Sequence, residues 1–510
     1  MLAVNEIELG DDFAALNNLE TFMAYSCMTS ASEFLSVSFY SSDITGTTYQ
    51  PSEIVLQCKK VFKNIIAYDK FDFDSKKESM YALRPAFDTV ADMIGKGKKV
   101  PESLLEIFEN NPEYSAKLDS LINAKDKVPF KIFDKKNAEK LFGKNLNISA
   151  SQLEKFNLCR FSYFCNYALN VRERQRAEIN PMQYGTIVHY ILERFFGEYT
   201  KEEYLSLEED KFQKIVCAYL AEYAVKYFGE EQLESNSFTY RLKTILDNVM
   251  YLMKHIMEEL SQSEFFVADC ELKIGEDIPS YTIVLPDGHK IAVCGSVDRV
   301  DIMQRADITY LRIIDYKTGT KQFKLSDILY GINLQMLLYL HSIEASGGDK
   351  YGDIVPAGIL YMPATVPYIS SDSLKSIDKL PDELNKKLKM NGLLLKDTEI
   401  IHGMDKTDVA TYIPVKIKAG EPVSSTSLAT LAEFGKIFKK VDMLIAEMGK
   451  NIYNGNIEAK PLQGGHASCE YCPYDSVCAY RQSNPITCFS VDNKTVIEEI
   501  TNEINGKEEE

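Results

Sequence analysis

Residues 311–320, LRIIDYKTGT, join an apolar, strand-like segment to charged side chains. The Ile313–Ile314 pair is typical of a buried strand. Asp315 and Lys317 follow two residues apart and therefore share one face of that strand. A carboxylate beside an ammonium at the end of a buried strand predicts a reactive site at the rim of a sheet.

The pattern around this strand has a period of two, and it predicts four antiparallel strands. The four segments are 265–275, 281–285, 290–303 and 309–317. A helix over 325–345 and a strand over 357–364 are predicted after them, and helices precede them from the capping signals at Ser149 and Ser151. This order predicts an α/β core with a mixed sheet flanked by helices.

Two carboxylates are expected to face each other across the third and fourth strands. A hairpin centred near residue 306 places Asp298 almost opposite Asp315, with the side chains ~5 Å apart. Such a pair repels unless a cation lies between the two groups. Mg²⁺ binds one or two carboxylates while keeping waters, and Lys317 is placed to activate a water or offset charge on a phosphate. The alternative is an ordinary surface ion pair at a strand end.

Two helices supply further candidates for this site. His189 and Glu193 lie four residues apart on one helix, so His189 is a candidate metal ligand with Glu193 as its orienting partner. Gln335 and Tyr339 are also four residues apart, on a helix otherwise rich in Leu, Ile and Met. His189 could instead be an ordinary core or surface histidine, and Gln335 and Tyr339 could instead form hydrogen bonds within the core.

Three of the eleven cysteines crowd together as CEYCPYDSVC, at Cys469, Cys472 and Cys478. The spacing predicts a metal centre that needs a fourth thiolate. Cys488 is nearest in sequence and Cys159 is the more distant choice. Spacing alone leaves zinc, an iron-sulfur cluster and unpaired thiols open.

The formal charge of −18 is the wrong sign for a protein whose whole surface attracts phosphate. A nucleic-acid contact must therefore be local, and the lysine-rich segment 125–144 is either such a contact or a solvated helical face. No apolar run approaches the ~18 residues of a membrane span, and the N-terminus lacks a signal sequence. We therefore expect no membrane association and a cytosolic, cytoplasmic location.

The motifs together resemble the RecB-like PD-(D/E)xK nucleases. They are SxLEKFxLC, GTIVHxxLE, GSVDRVD, IIDYKTG, QxxxY and the terminal CEYCPYDSVC. Within that family the chain is most similar to the C-terminal part of the B subunit of bacterial AddAB helicase-nucleases. The resemblance covers about residues 147–490.

This resemblance implies a role for each site residue. Asp298, Asp315 and Lys317 would be the catalytic acids and lysine, with Gln335 and Tyr339 completing the site. Asp298, Asp315 and His189 would bind Mg²⁺ or Mn²⁺. A 4Fe-4S cluster would be held by Cys159, Cys469, Cys472 and Cys478, although Arg160 stands where the family usually has proline after the first cysteine.

The resemblance also implies a domain organisation. Residues 1–70 would be a remnant of a superfamily 1 helicase C-terminal region, 71–146 a helical connection, 147–490 the nuclease domain and 491–510 an acidic tail. Ser30 stands where such helicases carry an arginine that touches the γ-phosphate, and no GxxxxGK[ST] loop occurs. The chain is expected to be either a fragment or a shortened gene product.

The function implied is a Mg²⁺-dependent DNA nuclease that processes DNA ends for recombinational repair. Its partners would be single-stranded DNA or duplex ends and the helicase-nuclease A subunit, with which it would form a heterodimer. Two alternatives remain open: a non-catalytic, metal-stapled DNA-binding scaffold, and a stand-alone exonuclease like those of CRISPR spacer acquisition.

Overall fold

The computed structural model divides the chain into two compact units, Met1–Val128 and Pro129–Glu510. It describes residues 13–41, 48–62, 65, 81–95, 98–123, 131–132, 134–172, 181–229, 236–319, 322–367, 380–406, 410–418, 420–424, 426–464, 468–478, 480 and 486–508. The division falls inside the segment predicted as a helical connection, and the predicted domain boundaries stay predictions. Within these described ranges, no helix is both long and apolar enough to cross a bilayer.

The described part of the first unit contains five α-helices. Its helices are α1 (Phe13–Thr29), α2 (Glu53–Val61), α3 (Leu83–Gly95), α4 (Glu102–Glu109) and α5 (Ser115–Asn123). Three aromatic rings, those of Phe87, Phe108 and Tyr114, pack at centroid distances of 4.9–5.6 Å. This small aromatic cluster is the core of the last three helices.

The second unit contains all the strands among the described residues. They are β1 (Asn145–Ile148), β2 (Phe266–Ile274), β3 (Thr282–Val284), β4 (Lys290–Val293), β5 (Gly295–Arg305), β6 (Ile308–Lys317), β7 (Asp353–Pro363), β8 (Asn391–Leu395), β9 (Lys416–Lys418), β10 (Glu421–Val423), β11 (Leu428–Ala429), β12 (Leu462–Gln463) and β13 (Ile486–Thr487).

The α-helices of the second unit surround these strands. They are α6 (Lys135–Phe142), α7 (Ala150–Leu158), α8 (Arg160–Tyr163), α9 (Pro181–Glu198), α10 (Lys201–Leu205), α11 (Glu209–Phe228), α12 (Asn236–Gln262), α13 (Gln335–Ser346), α14 (Gly348–Tyr351), α15 (Leu380–Leu388), α16 (Thr398–Met404), α17 (Leu431–Tyr453) and α18 (Asn493–Glu508). A π-helical turn, Phe164–Ala168, follows α8.

A six-stranded mixed sheet forms the centre of this unit, in the order β11-β8-β7-β6-β5-β2. The pairs β2/β5, β5/β6 and β7/β8 are antiparallel, whereas β6/β7 and β8/β11 are parallel. Apolar residues of the sheet and of the surrounding helices form one large cluster, so the strands are largely buried. The predicted mixed α/β architecture is therefore confirmed.

Two predicted elements are wrong in detail. The segment 290–303 is two strands: β4 belongs to a separate three-stranded sheet, β1-β4-β3, and β5 to the large sheet. The helix predicted over 325–345 is a 3₁₀ turn, Leu325–Tyr330, followed by α13, which begins only at Gln335. The break lies at Gly331, which has a φ of 70°, and Asn333, which has a φ of 54°. These left-handed conformations cannot continue a right-handed helix.

A buried charge cluster lies on the face of β5 and β6 that packs against α12. Asp301 pairs with Arg312 across the two strands. The Arg312 guanidinium lies 2.9 Å from Asp301 Oδ2 and 2.6 Å from Glu259 Oε1. Arg299 binds the same two carboxylates at 2.9 and 3.3 Å, and all four side chains are fully buried. The two positive and two negative groups thus compensate each other within the core.

A second polar contact joins α13 to α17 and predicts a pH-dependent stability. His341 Nε2 lies 3.0 Å from Asp442 Oδ1, which also accepts a 2.8 Å hydrogen bond from the Tyr281 hydroxyl. Burial lowers the pKa of His341, but hydrogen bonds with Asp442 and Glu344 outweigh this effect and raise the pKa to about 9. Protonated His341 therefore stabilises the folded state.

The stability from this histidine should be complete below its unfolded-state pKa of ~6.5 and lost as the pH rises to about 9. We expect the free energy of unfolding in urea to fall by up to ~3 kcal/mol between pH 6.5 and 9, because each pH unit between the unfolded and folded pKa values of His341 is worth about 1.4 kcal/mol. His341→Gln should flatten this dependence. An identical pH dependence in the two proteins would contradict the assignment.

Candidate active site

The register of β5 and β6 brings Asp298 opposite Asp315. Arg299 pairs with Ile314 and Val300 with Ile313, so the next position along the ladder joins Asp298 to Asp315. Asp298 Oδ2 accepts a 2.9 Å hydrogen bond from the backbone N–H of Tyr316. The residue positions match those expected from a hairpin centred near residue 306.

Glu271 extends this row of carboxylates onto β2, and the sequence patterns did not single it out. Cys270 pairs with Arg299 and Leu272 with Val297, so Glu271 stands beside Asp298 in register. Glu271 has a φ of 49°, in the left-handed region, and a β-bulge precedes it on the strand. Ser296 Oγ donates a 2.8 Å hydrogen bond to its Oε2.

Helix α9 brings His189 to the same row. Its Nδ1 lies 3.3 Å from Glu271 Oε1 and 3.5 Å from Asp298 Oδ2, and its Nε2 lies 3.3 Å from the Tyr316 carbonyl oxygen. The predicted orienting partner, Glu193, is instead exposed. The hydrogen-bonding carboxylate of His189 is thus supplied by strand β2 rather than by its own helix.

The carboxylates of Asp298 and Asp315 repel each other in a largely buried site. Burial, the larger cause, and the negative charge of Asp315 together raise the pKa of Asp298 to about 7, against the opposing effect of His189. Burial also lowers the pKa of His189, but the Glu271 hydrogen bond and the surrounding carboxylates raise it overall. The carboxylates therefore gain from any positive charge placed between them.

Asp315 is held on both of its oxygen atoms. Lys317 Nζ lies 2.5 Å from Oδ2, and Gln335 Nε2 donates a 3.1 Å hydrogen bond to Oδ1. The Asp315 side chain is only 4% exposed, whereas Lys317 is 26% exposed. The ammonium therefore lies between the buried carboxylate and the open side of the site.

Tyr339 packs next to this pair at a point of close backbone approach. A Cβ atom at position 295 would lie 2.2 Å from the Tyr339 hydroxyl oxygen, so only glycine fits there. Burial raises the pKa of Tyr339 to about 12, although the Ala150 backbone N–H donates to its hydroxyl. Asp298 and Asp315 also act on it, which places Tyr339 close to the carboxylates.

The ligand types and spacing fit a divalent cation. Within the described ranges, one group of three metal-binding side chains has its ligand atoms within 4.8 Å of one another: His189, Glu271 and Asp298. One imidazole nitrogen and two carboxylate oxygens suit Mg²⁺ or Mn²⁺. Asp315, expected from the sequence to complete the set, lies beside this group but is engaged by Lys317 and Gln335.

Glu271→Gln should test whether this carboxylate contributes to metal binding. The change removes one negative charge but keeps the size of the side chain, so we expect Mn²⁺ affinity to fall ~10-fold, or about 1.4 kcal/mol. Calorimetric titration would measure the affinity. Glu276→Gln, in the exposed turn after β2, is the matched control. Equal Mn²⁺ affinity in wild-type and Glu271→Gln proteins would show that Glu271 is not a ligand.

The cysteines expected to hold a cluster lie together. Buried Cys159 and Cys165 form one small cluster with Phe161 and Tyr474, and Cys472 and Cys478 pack against it. Burial raises the pKa of the Cys469 thiol, and the nearby Cys159, Cys472 and Cys478 raise it further.

Cys488 has a different environment. Burial raises its pKa to about 11, and its charged neighbour is Asp327 rather than another cysteine. None of the eleven cysteines forms a disulfide bond. Cys159 is therefore better placed than Cys488 to complete a four-thiolate site, and Cys165 is a fifth thiol beside it.

Comparison with protein families identifies the domain that carries the site. Residues 147–479 match the PD-(D/E)XK nuclease superfamily. The chain belongs to this superfamily. The matched segment contains strands β5 and β6 and helices α9 and α13. It also contains Cys159, Cys165, Cys469, Cys472 and Cys478, but not Cys488.

Three curated relatives match almost the whole chain. Each is named as the B subunit of an ATP-dependent helicase/deoxyribonuclease. The proteins of Thermoanaerobacter sp. (strain X514) and Clostridium acetobutylicum are 31% and 30% identical over 505 residues, and that of Clostridium botulinum (strain Loch Maree / Type A3) is 32% identical over 499. The alignments cover 93–94% of this chain but 43% of each relative.

These matches confirm the family predicted from the motifs, which is a superfamily of nucleases. The match to the relatives extends beyond the nuclease segment into the first unit of the chain. Roles for individual site residues are not assigned by these comparisons and stay predictions.

Proposed function

We propose that this chain is a divalent-metal-dependent deoxyribonuclease whose site is the row Glu271, Asp298 and Asp315 with Lys317. The observation that supports it most strongly is the convergence of three carboxylates and a histidine beside a lysine in a nuclease-family domain. Such a row is unfavourable unless it binds a cation. Bound Mg²⁺ or Mn²⁺ would stabilise negative charge that develops on a scissile phosphate.

Each side chain around the row has its own role in this proposal. His189, Glu271 and Asp298 would hold the ion, and Asp315 on β6 lies beside these three residues. The Lys317 ammonium would donate a hydrogen bond to the attacking water or offset charge on the phosphate. Gln335 fixes the orientation of Asp315 through its hydrogen bond, and Tyr339 lies close to both aspartates.

We further propose that the chain works as the nuclease part of an AddB-type protein. The relatives named as B subunits of helicase/deoxyribonucleases support this role. In this proposal a helicase-nuclease A subunit unwinds duplex ends in the cytoplasm, and this chain cuts a separated DNA strand during double-strand break repair. Exposed lysines on and beside α6, at Lys135, Lys136, Lys140 and Lys144, are candidate phosphate contacts. Lys125 and Lys127 of the same segment lie outside the described residues.

A cleavage assay with end-labelled single-stranded DNA tests the proposed activity. Purified protein should cut the strand with Mg²⁺ or Mn²⁺ and stop when EDTA is added. Lys317→Ala should lower the rate by ~10²-fold or more, whereas Lys324→Ala, outside the site, should not. Metal-independent cleavage, or no cleavage by metal-replete protein either alone or with the A subunit, would refute the proposal.

We also propose that Cys159, Cys469, Cys472 and Cys478 hold a 4Fe-4S cluster. Their proximity and the separate location of Cys488 support this ligand set. A link between Cys159 and the C-terminal cysteines closes a loop of ~300 residues, which would strongly constrain the unfolded chain. The centre is thus expected to stabilise the fold.

Cys472→Ser should remove this centre. Anaerobically purified wild-type protein should be brown with broad visible absorbance, and the variant should lose both the colour and resistance to urea. Cys217→Ser, at a half-buried position on α11, is the matched control and should stay brown. Colourless wild-type protein containing one equivalent of zinc would contradict the proposed iron-sulfur centre.

A further inference from the structure

The start of α13 is capped by a side chain from a distant helix. Leu334, the residue before the helix, has no side-chain acceptor for the free backbone N–H groups of the first turn. Glu154 on α7 supplies one instead. Its Oε1 accepts a 2.8 Å hydrogen bond from the Leu334 N–H and a 3.3 Å hydrogen bond from the Gln335 N–H. The negative charge of Glu154 also suits a helix N-terminus.

This cap acts on the residue that orients Asp315. Gln335 is the first residue of α13, and its side chain donates the 3.1 Å hydrogen bond to Asp315 Oδ1. Residues at a helix terminus fray unless a cap holds them. The position of the Gln335 amide therefore depends on the hydrogen bonds that its own backbone makes with Glu154.

Helix α7 holds the preceding turn at a second point. Asn157 Nδ2 donates a 2.9 Å hydrogen bond to the Gly331 carbonyl oxygen. A Cβ atom at Gly331 would lie 2.2 Å from Asn157 Nδ2, so the two segments are in direct contact. Glu154 and Asn157 lie three residues apart and share a face of α7. That face holds the turn and the first residue of α13 together.

The helix that carries Glu154 is itself well anchored. Leu153 and Phe156 of α7 are buried in the main core, and Ala150 at its start donates to the Tyr339 hydroxyl. Because α7 is fixed at these points, Glu154 is a stable reference for α13.

We propose that Glu154 is a positioning residue that holds Gln335 against Asp315. It touches neither the scissile strand nor the metal in this scheme; it acts through the first turn of α13. The inference rests on the proposed nuclease function of the row Glu271, Asp298 and Asp315.

A double-mutant cycle tests the proposal on the purified chain with single-stranded DNA and saturating Mg²⁺. Glu154→Ala and Gln335→Ala should each lower kcat by roughly tenfold and leave KM for DNA unchanged. If Glu154 acts through Gln335, the double variant should also be ~10-fold slower, rather than the ~100-fold expected of independent effects. A multiplicative loss, or a loss confined to KM, would overturn the inference.

Two further variants separate positioning from stability. Glu154→Gln keeps an acceptor oxygen at the same reach and should restore most of kcat. Glu154→Asp withdraws that oxygen by one methylene and should behave like the alanine variant, which provides a second test if Glu154→Ala fails to fold. Glu433→Ala removes the capping carboxylate of α17 and is the matched control. It should lower the melting temperature without changing kcat.

The assay must also include Asp315→Asn, because this variant tests the function on which the inference rests. If Asp315→Asn abolishes cleavage while Glu154→Ala, Glu154→Asp and wild type have equal kcat, Glu154 has no positioning role and the nuclease function stands. If wild type and Asp315→Asn are equally active, or equally inactive both alone and with the A subunit, the proposed function and the inference both fail.

Discussion

Asp315→Asn is expected to lower the rate of single-stranded DNA cleavage by at least ~10³-fold. Asp315 lies opposite Asp298, binds Lys317 and is only 4% exposed. Asparagine has almost the same shape but no charge, so it loses both the attraction to a divalent ion and the ion pair with Lys317. The rate at saturating Mg²⁺, measured with a single-turnover assay, reports this loss.

The matched control is Asp307→Asn, at an exposed position in the turn of the same hairpin. It removes one negative charge from the same two strands and should leave the rate within about twofold of wild type. The melting temperature of Asp315→Asn should stay equal to or above that of wild type, because the change also removes repulsion with Asp298. Near-normal cleavage by Asp315→Asn would exclude it from the site.

Arg312→Met is expected to lower the free energy of unfolding by about 3 to 5 kcal/mol. The guanidinium of Arg312 is fully buried and binds both Glu259 and Asp301. Methionine fills part of the volume but leaves two buried carboxylates with Arg299 as their remaining guanidinium partner. A buried charge without sufficient compensation is costly because the interior solvates it poorly. Urea denaturation at constant pH measures the effect.

Arg305→Met is the matched control for this prediction. Arg305 also lies on β5 and pairs with Glu264, but its side chain is 52% exposed. Exposed ion pairs contribute at most ~1 kcal/mol, so this variant should unfold close to wild type. If both variants lose the same small amount, the buried cluster contributes no more to stability than an exposed ion pair does.

The β5–β6 hairpin could be predicted because residues close together in the sequence determine its register. A short turn, alternating residues and a period of two fix which residues face each other, and Asp298 and Asp315 follow from that register. Ala306 has a φ of 51° in the turn, at the centre of the predicted hairpin. The position of Lys317 beside Asp315 follows from the same strand end.

Other parts of the site depend on contacts distant in sequence. Glu271 joins the row through a bulged strand and a left-handed backbone conformation, which strand periodicity does not reveal. The true start of α13 at Gln335 depends on Gly331 and on the cap from Glu154, 180 residues away from Leu334. A single polar residue in a strand does not by itself indicate a ligand. The one sequence feature that could have indicated Glu271 is its place as a glutamate between apolar residues of the predicted strand 265–275.

The most direct test of a metal site at Asp298 and Asp315 is diffraction from a crystal of this protein soaked in Mn²⁺, with an anomalous difference map. We predict one strong peak bound by His189, Asp298 and at least one of Glu271 and Asp315, and loss of that peak in Asp298→Asn crystals. A map in fully soaked wild-type crystals with no anomalous density at the carboxylate row would show that these residues do not form a metal site.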